Sequence, residues 1–130
     1  MKNIEETADF RIARDGTWFH DGDEIKREAL ARLFATRALK IDEDGKYWLS
    51  TPYEKYPVEV EDVPFIIVDY EKDGDVLTFR TNMDETTTNC IELRDELPYV
   101  DVRDGLYARI NRAVYYNLIE EFGPEVFGKQ

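Results

Sequence analysis

The chain has 130 residues, a length that suits one domain or two very small lobes, and 42% of them are hydrophobic and can build an apolar interior. Its 29 acidic residues outnumber its 17 basic residues and give a net charge of −12. This balance disfavours nucleic acids and anionic membrane surfaces as partners, because both bind mainly through basic side chains.

Cysteine usage and the first residues indicate the compartment. Cys90 is the single cysteine, so an intramolecular disulfide is excluded and a reducing environment is expected. Residues 1–8 predict a polar leader without an apolar signal segment, and no apolar run reaches membrane-spanning length. We therefore expect a cytoplasmic protein.

The N-terminal part predicts a hairpin followed by a helix. Residues 10–14 and 17–20 flank Asp15-Gly16, the strongest short signal for a tight turn between strands. The acidic segment 21–24 predicts the start of a helix, where the helix dipole favours carboxylates. An apolar stripe at helical spacing supports this helix and comprises Ile25, Ala29, Leu30, Leu33, Phe34 and Ala38.

The middle of the chain predicts strands. Residues 47–51 read as a strand, and residues 52–57 read as a loop bracketed by two prolines. Residues 58–61 alternate between apolar and acidic side chains, which is typical of a half-buried strand. The apolar run 65–68 predicts a central strand paired with residues 76–80.

The C-terminal part predicts a further strand, a second hairpin and a second helix. Residues 90–93 continue the sheet, and residues 99–110 form a hairpin around their own Asp-Gly turn. Asn111 can cap a helix, which Gly123 and Pro124 end. The apolar face of this helix carries Val114, Tyr115, Leu118, Ile119 and Phe122.

The two ends of the chain share one pattern. Residues 14–16 and 103–105 are both Arg-Asp-Gly, and each hairpin leads through an Ile-x-Arg junction, at Ile25 and Ile110, into an amphipathic helix. The alternative is coincidence, because Arg-Asp-Gly is a common turn sequence. If the hairpin–helix unit is duplicated, one copy alone leaves its apolar face uncovered. We therefore expect both copies to pack with the middle strands.

These elements predict an α+β fold of mainly antiparallel strands with two helices, in which two repeat-like hairpin–helix units lie at the termini. The whole chain forms a single compact unit over residues 1–130 or two small lobes. The lobes would cover residues 9–57 and 58–123.

Several segments occur in an order that is characteristic of one family. They lie at residues 12–18, 33–34, 47–55, 60–65, 79–82 and 98–106. Together they resemble the bacterial domain of unknown function family 1285 over about residues 10–122. The resemblance implies a fold with internal repeats, no established enzyme activity, and a role in signal transduction through ligand binding. After Asn82 the sequence is shorter than typical members of that family.

Familiar catalytic and metal-binding motifs find little support. A Cys–His pair would need Cys90, whose strand-like surroundings are typical of a small buried hydrophobe, and His20. One cysteine and one histidine cannot form a usual zinc site, and segments 21–24 and 42–45 lack the calcium-loop pattern. No glycine-rich phosphate loop occurs. We expect no catalytic residue, no metal and no cofactor.

A set of polar residues lies where apolar strands enter loops, the usual position of binding groups. Arg80 and Arg103 can each hold a carboxylate or phosphate group bidentately, and Lys55 would join Arg80 on an anionic ligand. The alternative, favoured by the excess of acids, is that both arginines form structural ion pairs with Glu54, Glu61 or Asp62. The predicted ligand site comprises Thr51, Glu54, Lys55, Arg80, Asn82 and Arg103.

Three functions remain open from the sequence. The first is a small-ligand-binding regulatory protein in signal transduction, with an anionic small molecule in a cleft between the two repeat-like halves. The second is a structural or protein–protein interaction module, whose exposed aromatic side chains meet a protein partner or a second copy in a homodimer. The third and weakest is an enzyme that uses Glu54 or Glu61 as an acid or base, which requires a perturbed pKa in a cleft.

Overall fold

The computed structural model describes residues 9–123 and Val126, and the chain divides into two compact units, Met1–Pro64 and Phe65–Gln130. The sequence placed this division after residue 57. It lies later because the strand Lys55–Val60 pairs with two strands of the first unit. The polar leader expected at residues 1–8 lies outside the described residues.

The N-terminal unit is a six-stranded sheet with one helical segment. Its elements are β1 Phe10–Ile12, β2 Trp18–His20, β3 Asp23–Glu24, α1 Glu28–Leu33 with a π-helical continuation Phe34–Ala38, β4 Leu39–Ile41, β5 Tyr47–Ser50 and β6 Lys55–Val60. The strand order is β3-β2-β1-β6-β5-β4, with β1 and β6 parallel and the other pairs antiparallel. The predicted hairpin β1–β2 is confirmed.

Helix α1 begins later than the sequence indicated, and the prediction of a helix start at residues 21–24 is wrong. Asp21 and Gly22 have positive φ values of 54° and 87°, so they turn the chain and let Asp23–Glu24 pair with β2. The helix starts at Glu28, after an extended Arg27. Acidic residues favour tight turns as well as helix N-termini, and the sequence pattern does not separate the two.

The buried face of α1 also differs from the predicted stripe. Ala31 and Ala35 are buried, whereas Leu33 is 53% exposed. Phe34 packs onto the sheet, with its ring centroid 5.7 Å from that of Phe10 and 6.1 Å from that of Trp18. The π-helical segment widens the helix after Leu33, so the regular helical spacing does not continue through the stripe.

Strand β6 includes residues that the sequence assigned to a loop. It begins at Lys55 and contains Pro57, which lies opposite Trp48 of β5. Pairing of β6 with β1 begins only at Val58, so β6 is paired on one side at Pro57. A proline, which lacks a backbone N–H, is tolerated in a strand at such a one-sided position.

The C-terminal unit is a second six-stranded sheet with one helix. Its elements are β7 Phe65–Asp73, β8 Val76–Thr81, β9 Thr86–Thr87, β10 Ile91–Arg94, β11 Leu97–Arg103, β12 Leu106–Ile110 and α2 Arg112–Phe122. The order is β10-β11-β12-β7-β8-β9, so β7 is a central strand as predicted, parallel to β12 and antiparallel to β8. The Thr87 hydroxyl of edge strand β9 donates to the Asp101 carbonyl of β11 at 3.1 Å, which shows that this sheet curls.

The second hairpin and the second helix are confirmed. Asp104 and Gly105 have φ values of 52° and 84°, as an Asp-Gly hairpin turn requires. Asn111 caps α2, because its Oδ1 accepts a hydrogen bond from the Val114 N–H at 2.9 Å. Val114 and Leu118 are buried on the inner face of the helix.

The α+β class, the predominantly antiparallel pairing and the repeat-like construction are confirmed. A hairpin and a helix occur at each end, and the strand order adds a longer correspondence, in which β1 to β6 match β7 to β12 in sequence. In this correspondence, hairpin β1–β2 is equivalent to hairpin β7–β8. The Arg-Asp-Gly match in the sequence instead makes hairpin β1–β2 equivalent to hairpin β11–β12. The helix differs in position: α1 lies between the third and fourth strands, and α2 follows the sixth.

Two further properties bear on function. Neither helix in residues 9–123 combines the length and the apolar character that crossing a bilayer requires. Within the described residues, no group of three or more His, Cys, Asp or Glu side chains is placed to hold a metal ion.

Candidate functional site

Three of the predicted site residues form the turn between β5 and β6 of the N-terminal unit. The Thr51 hydroxyl accepts hydrogen bonds from the backbone N–H groups of Tyr53 at 3.3 Å and Glu54 at 3.0 Å. The Glu54 carboxylate accepts a hydrogen bond from the Tyr56 hydroxyl. The Lys55 ammonium lies 4.4 Å from the centroid of the Trp48 ring, a cation–π contact. These contacts shape the turn and cover an aromatic side chain.

Sequence reasoning missed a neighbouring carboxylate, Asp42. It accepts hydrogen bonds at 2.9 Å from the Trp48 indole Nε1, the Lys46 N–H and the Asp44 N–H. The Trp48 bond, followed by the backbone bonds, holds the pKa of Asp42 below its ordinary value. The acidic segment 42–45 therefore serves as a turn, a common role of Asp-Gly pairs.

Arg80 lies on β8 of the C-terminal unit and pairs with two carboxylates. Its guanidinium is 3.0 Å from Asp69 and 3.3 Å from Asp84, and its side chain is 44% exposed. The hydrogen bond from Arg80 is the main reason that the pKa of Asp69 is lowered. The guanidinium also lines a small pocket of about 190 Å³ together with Thr78 and Thr86.

Asn82 and Arg103 hold the segment that follows β8. Asn82 bonds to both backbone groups of Ile66: its N–H donates to the carbonyl at 2.8 Å, and its Oδ1 accepts from the N–H at 3.1 Å. Arg103 Nε donates to Glu85 Oε2 at 2.7 Å, and the two side chains are only 26% and 23% exposed. Thr81, which is fully buried, accepts the Glu85 N–H at 3.2 Å and positions that residue.

The six predicted residues therefore fall into two sets. Thr51, Glu54 and Lys55 share one turn of the N-terminal unit, and Arg80, Asn82 and Arg103 surround the β8–β9 segment of the C-terminal unit. The observed contacts are ion pairs, hydrogen bonds and a cation–π contact within each unit. The partners of Arg80 are Asp69 and Asp84 rather than Glu54, Glu61 or Asp62. A role of these six residues in ligand binding stays a prediction.

A larger cavity of about 450 Å³ lies in the C-terminal unit, and none of the six predicted residues lines it. One wall is the start of β8, with Val76, Leu77 and Phe79, and the other is the short connection 88–90 with Ile91 of β10. The curl of the sheet brings these walls together, since β9 returns toward β11. Val126, beyond the end of α2, completes the lining.

Cys90 belongs to this cavity and is exposed, so the interpretation of its surroundings as those of a buried hydrophobe is wrong. The residue lies in the connection before β10 rather than within that strand. Ile91, the next residue, points into the core and is 4% exposed. Sequence reasoning did not point to this cavity.

Comparison with known proteins covers both units. Residues 3–63 match the N-terminal domain of DUF1285, a domain of unknown function, and residues 64–128 match its C-terminal domain. The chain belongs to the DUF1285 family. The resemblance seen in the sequence is thereby confirmed, and the border between the two DUF1285 domains lies one residue before the division of the structure after Pro64.

Two solved structures of DUF1285 proteins are similar to this chain. The protein from Silicibacter pomeroyi DSS-3 is 39% identical with a TM-score of 0.76, over 85% of this chain and 67% of that one. The protein from Shewanella baltica OS155 is 34% identical with a TM-score of 0.76, over 87% of this chain and 91% of that one. Among curated proteins, no match to this DUF1285 chain was found.

Proposed function

We propose that this DUF1285 protein is a small-ligand-binding regulatory protein and that the ligand binds in the cavity of its C-terminal unit. The observation that carries the proposal is the cavity itself, whose volume of about 450 Å³ lies in the range typical of small-molecule sites. Its lining combines apolar side chains with a few polar groups, as such sites usually do.

The apolar walls supply the driving force for binding. Val76 is 50% exposed beside the cavity, and Leu77 is partly exposed next to it on β8. An apolar ligand that covers these side chains removes their surface from water, worth roughly 25 cal/mol for each Å². Covering the exposed Val76 side chain with an apolar ligand therefore lowers the free energy of the complex.

The internal repeat supports a ligand-binding role for this unit in particular. In the N-terminal unit the connection between the third and fourth strands is long and carries α1, whose Phe34 packs against Phe10 and Trp18. The corresponding connection of the C-terminal unit, between β9 and β10, is reduced to residues 88–90. These three residues line the cavity, so a shortened connection accompanies the open space.

Regulation would follow from the elements that the ligand touches. The cavity lies against the start of edge strand β10 at Ile91 and against Val126, which follows α2. A ligand held there favours the conformation in which Ile91 and Val126 lie around it, and a partner that recognises edge strand β10 would respond to the ligand. We propose that the protein acts in signal transduction through such a ligand-dependent interaction with a partner.

We also propose two alternative functions, an anionic ligand at Arg80 and a protein partner. The pocket at Arg80 offers a cation beside the hydroxyls of Thr78 and Thr86, so an anionic small molecule would bind there by displacing Asp69 or Asp84. Large exposed side chains, among them Tyr53 at 92% and Tyr116 at 55%, favour a protein partner or a second copy of the chain.

The proposal is tested with the full chain and a library of small metabolites by thermal shift, followed by isothermal titration calorimetry of each hit. Val76→Trp fills the mouth of the cavity, and Val68→Trp is the matched control, since Val68 is also exposed on a strand of the same sheet and does not line the cavity. We expect hits that bind the wild type and Val68→Trp but not Val76→Trp. A library without a single hit, or hits that bind Val76→Trp equally well, contradicts the proposal.

A further inference from the structure

Two polar side chains at the cavity offer acceptors to a ligand, and the Thr88 hydroxyl and the Cys90 thiol can donate as well as accept. Asp75, at the tip of the β7–β8 hairpin, contributes a carboxylate, which only accepts when ionised. Asn89 donates from Nδ2 to the Asp101 carbonyl at 2.7 Å, so that its amide nitrogen faces the sheet. Because a carbonyl can only accept, this bond fixes the orientation of the amide and leaves Asn89 Oδ1 as an acceptor for a ligand.

The charge of the lining has one sign. Among the described residues that line the cavity, Asp75 is charged and no lysine, arginine or histidine occurs. Lys72, which pairs across the strands with Leu77, directs its ammonium over the Phe122 ring at 5.9 Å. The protein as a whole carries a net charge of −12, which attracts cations and repels anions over longer distances.

We propose that the cavity binds an organic amine with an apolar body: the ammonium group lies at Asp75 and the Asn89 carbonyl, and the body contacts Val76, Leu77 and Ile91. This inference rests on the proposed function and specifies the ligand class of the same site. It reverses the charge of the ligand that the sequence predicted, because Arg80 lies on β8 outside this cavity and Asp75 lies at it.

Three probes with the same body and different head groups separate the alternatives: naphthylmethylamine, naphthylmethanol and naphthoate. Isothermal titration calorimetry of the full chain with each probe gives its Kd. We expect the amine to bind at least about threefold more tightly than the alcohol, which corresponds to an exposed ion pair. Naphthoate should bind more weakly than the alcohol, because its carboxylate meets the like charge of Asp75 and no cationic side chain among the described lining residues.

Two variants assign the preference to one residue. Asp75→Asn should remove the advantage of the amine over the alcohol, measured as the ratio of the two Kd values in the same variant. Asp73→Asn removes the same charge two residues away, at the end of β7 and outside the cavity lining, and should keep the preference. An equal loss of preference in both variants would show a general charge effect and overturn the assignment to Asp75.

The outcomes for ligand class and for the site itself are distinguishable. Binding of the alcohol and the naphthoate that equals or exceeds that of the amine overturns the amine proposal, while leaving small-molecule binding in place. If none of the probes binds, the amine proposal fails and the metabolite library decides the proposed function. If Val76→Trp binds all three as the wild type does, the cavity is not the site and both proposals fail.

Discussion

Arg103 Nε donates a hydrogen bond to Glu85 Oε2 at 2.7 Å and so ties β11 to the segment between β8 and β9. Both side chains are about three quarters buried, at 26% and 23% exposure, and Glu85 Oε1 is buried without a hydrogen-bond partner among the described residues. Because water reaches the Glu85 carboxylate poorly, Arg103 is needed to balance its negative charge.

Removal of Arg103 should therefore cost more stability than removal of Arg80. We expect Arg103→Ala to lower the free energy of unfolding by about 1–3 kcal/mol, because it leaves a shielded acceptor unpaired. Arg80→Ala, whose ion pairs are exposed, should cost less than about 1 kcal/mol. Urea unfolding followed by circular dichroism measures both. An equal or larger loss for Arg80→Ala would contradict the structural role assigned to Arg103.

The cap of α2 provides a second prediction. Asn111 Oδ1 accepts the Val114 N–H at 2.9 Å, so Asn111→Ala should lower the free energy of unfolding by about 1 kcal/mol. Asn111→Asp keeps the acceptor and is the matched control, with stability close to that of the wild type. The cap assignment does not survive if the two variants unfold at the same urea concentration.

Asp42 predicts a pH-dependent stabilisation of the N-terminal unit. Hydrogen bonds from the Trp48 indole and from backbone N–H groups lower its pKa in the folded protein below the ordinary 3.8. The stabilisation is therefore fully present above 3.8 and is lost as the pH falls through the folded pKa. The Trp48 indole N–H signal in NMR should titrate below this value in the wild type and stay unchanged in Asp42→Asn. A titration at or above 3.8 would contradict the contact.

Tyr70 predicts the opposite dependence at high pH. Its hydroxyl donates to Glu121 Oε1 at 2.6 Å, and this bond raises the pKa of Tyr70 to about 12. The stabilisation is thus present below the ordinary value of 10.0 and is lost as the pH rises through about 12. The hydrogen bond to Glu92 also raises the pKa of Tyr107. Spectrophotometric titration of the wild type should therefore show one more late-titrating tyrosine than that of Tyr70→Phe, which keeps Tyr107. If the two titration curves coincide in their late phase, Tyr70 does not titrate late.

The hairpins and the C-terminal helix could be predicted from the sequence because their signals are local. Asp104-Gly105 needs only its own backbone conformation to make a turn, and Asn111 needs only the first turn of the helix to act as a cap. The start of α1 was missed because the pairing of Asp23–Glu24 with β2 decides between turn and helix, and this pairing is not local. Pro57 likewise lies in a strand because β6 pairs only with β5 at that position, and this one-sided pairing is not local either.

The candidate site was less accessible to sequence reasoning than the fold. Arg80 and Asn82 were recognised as polar residues at a strand end, but their partners, such as Asp69 and the backbone of Ile66, follow from the register between β7 and β8. The cavity joins Val76 to Ile91 only because the sheet curls, and no periodicity in the sequence encodes that curl.

The most direct measurement is a two-dimensional ¹H–¹⁵N NMR titration of the full chain with a ligand from the library. We predict chemical-shift changes that cluster at the backbone amides of Val76, Leu77 and residues 89–91, and that disappear in Val76→Trp. Shifts confined to other parts of the chain, with these amides unchanged while the ligand is bound, would contradict the claim that the C-terminal cavity is the ligand site.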